Sequence, residues 1–128
     1  MLADAYAAHC ALWPAIRSVA EAHLEWAPPV VIEGWALLPE FVTPTLDSRA
    51  AAVWLSASRS ILSGRIKKDG FLSSSERALQ GFLDRSAEFD QRMRRSVPRH
   101  LLVEVLPQAT VELLAEQCWK VTSSADEA

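Results

Sequence analysis

One carboxylate interrupts an otherwise apolar run. Val30, Val31 and Ile32 lead straight into Glu33, and Gly34 and Trp35 follow it. An acid at the end of a buried strand can order Mg²⁺ through its waters or accept a proton from an attacking hydroxyl. Gly34 beside it would let a substrate approach the backbone closely, and Trp35 would wall the site. Arginines form the second constellation. On an ideal helix Arg77, Arg85, Arg92 and Arg95 fall within a sector of about 80° beside the apolar face, and Arg65 closes the preceding helical segment. Guanidinium groups bordering a cleft bind phosphate oxygens in a fork. The plainer alternatives stand next to these readings. Glu33 could simply emerge into solvent, and the arginines could pair with Asp84, Glu88 and Asp90 on a helix surface.

Other chemistries find no constellation. His9, His23 and His100 share no metal-ligand spacing, so no metal site is expected. No G-x-S-x-G occurs, and no serine has a partner histidine nearby in sequence. Cys10 and Cys118 are single cysteines far apart, which reads as reduced thiols in a cytoplasmic protein.

The elements that must position these residues follow from periodicity. Apolar positions at Leu2, Tyr6, Cys10, Trp13, Ile16, Ala20 and Leu24 predict an amphipathic helix, kinked or restarted at Pro14 and stopped by Pro28-Pro29. Residues 30–34, 50–57 and 100–106 read as three strands, the first covered on both faces. The crossover of about fifteen residues between the first two favours a parallel pair. Ligands in open parallel sheets gather at the carboxyl ends of strands, which here means Glu33 and Ser56 to Arg59. A helix from Ser58 to about Lys68 carries Ile61, Leu62 and Ile66. After a turn, Ser73 and Glu76 form a capping box for a long helix with Leu79, Phe82, Leu83, Phe89 and Met93 on its apolar face. Thr110 caps a last helix bearing Val111, Leu114, Cys118 and Trp119. Glu104, inside the third strand, fits an edge position. The order predicts an α/β fold with a parallel sheet of about three strands: one domain over residues 1–122, with a helical lid over 65–97 and a polar tail at 123–128.

The chain has 128 residues, half of them apolar, and a net charge of −3. Charge is segregated. Arg59 to Arg99 holds ten basic residues against five acids, a net of +5, whereas the remainder holds three against eleven, a net of −8. A basic segment on an acidic body suits phosphate-bearing ligands or a solvated helical surface. No apolar run reaches the roughly 20 residues that span a bilayer, so no membrane association is expected.

The stretches PPVVIEGWALLPEFV, AAVWLSASRSILSGRI, FLDRSAEFDQRM and HLLVEVL resemble the C-terminal portion of small P-loop kinases, the adenylate-kinase-like and 2-phosphoglycerate-kinase-like members of the P-loop NTPase superfamily. The resemblance implies a three-layer parallel-sheet fold, ATP and Mg²⁺ as cofactors, and phosphoryl transfer to a nucleoside, nucleotide or other small hydroxyl-bearing acceptor. It implies Glu33 near Mg²⁺ or the acceptor, Arg65 at the lid entrance and Arg85 facing the transferred phosphate, with Gly34, Trp35 and Arg92 binding substrate. The superfamily's G-x-x-x-x-G-K-[ST] loop is missing, because none of the glycines at 34, 64, 70 and 81 precedes a Lys-Ser/Thr pair. The expectation is therefore an N-terminally incomplete kinase-like chain, inactive without its phosphate cradle. The alternative is a non-catalytic module that binds an anionic ligand or associates with itself through an uncovered sheet edge. Nucleic-acid binding is disfavoured by the acidic balance and the lack of a reading motif.

Overall fold

The computed structural model describes residues 2–70 and 75–123. The chain divides into two compact units, Met1–Ala52 and Val53–Ala128.

The first unit is built on helix α1, Leu2–Glu25. Its half-buried positions include Tyr6, Cys10, Trp13, Ile16, Ala20 and Leu24, the face read from the sequence. The helix continues through Pro14, whose carbonyl accepts a bond from the Ser18 hydroxyl at 3.0 Å. It stops where expected, with the Trp26 and Ala27 amides both bonding back to Ala22 and Pro28-Pro29 following. A short helix α2, Pro39–Val42, starts with Pro39 in its first turn and leads into a 3₁₀ turn at Thr43–Thr45. Trp13 stacks on Phe41 at 5.6 Å, joining α1 to α2, and Leu38 is fully buried.

The second unit holds one sheet of two parallel strands, β1 (Trp54–Ala57) and β2 (Leu102–Val105), paired Trp54 with Leu102 through Ala57 with Val105. Helices α3 (Arg59–Asp69) and α4 (Glu76–Ser96) form the crossover that a parallel pair requires. Ser58 caps α3 by accepting from the Ile61 amide, and Gly70 ends it in the left-handed conformation (φ 72°) that glycine adopts without strain. Ser75 caps α4 by accepting from the Ala78 amide at 3.1 Å. The expected cap Ser73 lies outside the described residues. Leu79, Leu83 and Met93 of α4 are buried and Phe82 and Phe89 half-buried, as the apolar spacing predicts. Helix α5, Val111–Ser123, is capped by Thr110, whose hydroxyl accepts from the Leu113 amide at 3.3 Å.

Side chains alternate across the sheet, so Trp54, Ser56, Leu102 and Glu104 share one face. Helix α4 lies over it. The Ser56 hydroxyl, buried at 1% exposure, donates to the Asp90 carboxylate. Arg94 then bonds Asp90 at 2.8 Å and Glu104 at 2.7 Å. One chain of polar contacts thus ties both strands to the same helix. The two carboxylates beside Arg94 hold its guanidinium, Glu104 foremost, more firmly in the charged form than usual. On the opposite face Val103 and Val105 are buried where α5 packs on β2.

The three-layer, three-stranded parallel-sheet fold is overturned. Among the described residues there are five α-helices, two short 3₁₀ helices and two strands of four residues each, and the chain is mostly helical. The segment 30–33 belongs to no helix or strand and pairs with no strand among the described residues. Pro28 and Pro29 remove two successive amide donors just before it, and Gly34 at φ 147° turns the chain immediately after it. Val31 is 93% exposed, which a strand covered on both faces would not allow. In the other two expected strands only four residues each form ladder, Trp54–Ala57 and Leu102–Val105. Glu104 does occupy an edge strand, since each of two strands is an edge.

The polar tie predicts the stability of the second unit. Asp90→Ala leaves the buried Ser56 hydroxyl without its acceptor and should lower unfolding free energy by about 1–3 kcal/mol. Arg17→Ala, which removes only the exposed Arg17–Glu21 pair, should change it by about 0–1 kcal/mol. Denaturant titration monitored by circular dichroism compares the two.

Candidate functional site

The residues singled out by chemistry fall into both units. Glu33, Gly34 and Trp35 lie in the first, on a loop instead of a strand end. Glu33 and Trp35 are exposed, and the Leu37 amide bonds the Gly34 carbonyl at 3.2 Å to close a turn. Positive φ is what Gly34 supplies, and no neighbouring atom stands where a Cβ would go. The position proposed for Glu33 required a parallel strand beneath it. Without that strand the carboxylate has no frame to aim it at a ligand.

The arginines lie in the second unit and go separate ways. Arg65 donates to the Ala109 carbonyl at 2.9 Å, bracing the loop between β2 and α5. Arg85 is half-buried and lies along its own helix, its guanidinium beside Gly81. Arg77, Arg92 and Arg95 are exposed. The arginine sector of α4 therefore faces mainly outward instead of bordering the apolar face, and only Arg85 sits at that border.

The strand-end reasoning does lead to a recess. Where β1 ends, the cap residue Ser58 and Arg59, Ser60 and Ser63 of α3 face Gln80 and Leu83 of α4 across a wide-open groove of about 510 Å³. Its one cation is already engaged: Arg59 donates to Asp84 and, at 2.6 Å, to Gln80, which in turn donates to Glu76 at 2.7 Å. The Ser58 and Ser60 hydroxyls bond each other at 2.9 Å. No histidine lines the groove to activate a serine. The set offers hydroxyls and a neutralised guanidinium, not a nucleophile with its base. Among the described residues, no three His, Cys, Asp or Glu side chains gather to hold a metal ion. Among the described residues, no helix is long and apolar enough to cross a membrane.

A different feature of the second unit is more developed. Leu55 of β1 is 48% exposed on the sheet face opposite α4, although Val103 and Val105 on that face are buried. Helix α5 bears Val111, Leu114, Cys118 and Trp119, as the spacing predicts. Leu114 and Cys118 are half-buried, and burial pushes the Cys118 thiol pKa up. Val111 and Trp119, however, are 79% and 73% exposed. At 100° per residue, Val111, Ala115 and Trp119 form a second apolar stripe within about 80°, flanking the packed one. Sequence periodicity identified α5's apolar residues but could not tell that the helix has more apolar width than its own unit covers.

Among the described residues the fold thus defines a mostly helical class of protein with one short parallel strand pair, with Leu55 left exposed on one of its faces. Compared with known proteins, the chain matches no family model, no curated protein and no solved structure.

The Arg65 contact assigns that residue a bracing role that can be checked directly. Arg65→Ala should speed hydrogen exchange of the amides in the β2–α5 loop, residues 106–110, while leaving those of β1 unchanged. Mass-spectrometric exchange reads both segments in one experiment.

Proposed function

We propose that this chain is a non-catalytic interaction module that associates with itself. One observation carries the reading: the second unit leaves apolar surface uncovered next to an incomplete sheet. Among the described residues nine apolar side chains are buried, while eleven large ones are exposed. Five of the eleven, Leu55, Leu106, Val111, Leu113 and Trp119, belong to the second unit. Scattered exposed apolar residues are ordinary, but a stripe beside a packed face is the pattern of an interface.

A second copy of the same chain is the partner this surface suits. Among the described residues the sheet has two strands, and a sheet this small is extended most directly by another strand of the same geometry. Specific interfaces bury about 800 Å² per partner, and the exposed Val111 and Trp119 on one stripe of α5 supply apolar area toward that. The chain's net charge of −3 opposes association only weakly.

Sedimentation velocity tests the reading. The chain should sediment as a dimer at micromolar concentration. Replacing Val111 and Trp119 together with serine should shift it toward monomer without loss of helix content, because both side chains are exposed. A wild-type monomer throughout the micromolar range would reject self-association.

A further inference from the structure

Resting on the self-association reading, we infer that the first unit supplies a contact of its own. Helix α1 packs antiparallel against α1 of a second copy, as a short two-stranded coiled coil whose two-fold axis passes at the level of Arg17.

Helix α1 has more apolar width than its own unit uses. Ala8, Leu12, Ala15, Val19, Ala22 and Trp26 alternate at spacings of four and three, the heptad step, and fall within a sector of about 80°. Trp26 stands just past the helix end but keeps its amide bond to the Ala22 carbonyl at 3.1 Å. Leu12, Val19 and Trp26 are 52%, 51% and 79% exposed. Ala8 and Ala15 are exposed too, and Ala22 is half-buried. This seam is separate from the packed face, because Trp13, stacked on Phe41, lies about 140° round the helix. A heptad repeat keeps its seam facing a partner when that partner is another α-helix.

Size selects which helix. Large side chains alternate with alanines along the seam. A second copy running antiparallel about the level of Arg17 sets Trp26 against Ala8, Leu12 against Ala22 and Val19 against Ala15, each pair occurring twice. All six layers then hold one large side chain and one alanine, so the two helix axes keep an even separation. A parallel copy would set tryptophan on tryptophan and alanine on alanine, which spreads the helices at some layers and leaves voids at others. The seam complements its own reverse, as an isologous contact requires. Electrostatics agrees. Ile16 and Ser18 flank the axis, and the ion-paired Arg17 and Glu21 lie on the far side of the helix. Six layers over about 27 Å add apolar area toward the roughly 800 Å² per partner that a specific interface buries.

Variants of the full chain test this. In a Cys10→Ser, Cys118→Ser background, Ser18→Cys, beside the axis, should cross-link to its counterpart through a short bis-maleimide. Ala3→Cys in that background should not, because antiparallel pairing holds the two copies of that position about 40 Å apart. Leu12→Glu combined with Val19→Glu should raise the dimer dissociation constant about tenfold or more in sedimentation velocity. Helix content by circular dichroism should stay unchanged, since both side chains are exposed within one chain. If the wild type is a dimer but Ser18→Cys does not cross-link and the double glutamate variant keeps its dissociation constant, the α1 contact is wrong. Cross-linking of Ala3→Cys as readily as Ser18→Cys would overturn the antiparallel arrangement. A wild-type monomer would instead overturn the association reading on which the contact rests.

Discussion

A parallel strand pair demands cover on both faces and neighbours on both edges, and two strands of four residues meet only part of that demand. Most of the second unit is arranged around the part that is met. Helix α4 covers one face and fastens both strands through Ser56, Asp90, Arg94 and Glu104. The hydroxyl at the start of this chain is buried, so its partner is a requirement and not an ornament. Helix α5 covers β2 on the other face and leaves Leu55 of β1 open. The proposed association follows from that one deficit.

The apolar segment with the lone acid belongs to a different economy. Residues 30–33 have strand-forming side chains but neither the donors before them nor a partner beside them. Glu33 is therefore an exposed loop carboxylate, and the phosphate chemistry that the resemblance attached to it has lost its geometric support. Arg65 donates to the Ala109 carbonyl, and the Arg85 guanidinium lies beside Gly81 of its own helix.

Local signals were legible in the sequence where a single element decides the outcome. Ser58 and Thr110 cap helices as their positions suggest, Gly70 ends α3, and the apolar spacing of α1 and α4 matches the faces they bury. Pairing was not legible, because β-branched residues at 30–32 satisfy the propensity of a strand without ensuring a neighbour. Nor did spacing reveal how much of α5's apolar width would be used. Leu114 and Trp119 carry the same hydrophobic signal, and only packing separates the half-buried one from the exposed one. For the arginines, charge type was readable but destination was not. Arg65 reaches a carbonyl 44 residues away, a contact that no local pattern announces.

If a second copy supplies the missing cover, folding and association are one equilibrium, and stability depends on protein concentration. The most direct test is the thermal midpoint of the wild-type chain measured by circular dichroism over a hundredfold range of concentration. The account predicts a midpoint that rises steadily as the protein becomes more concentrated. A midpoint independent of concentration, with reversible unfolding, would contradict it.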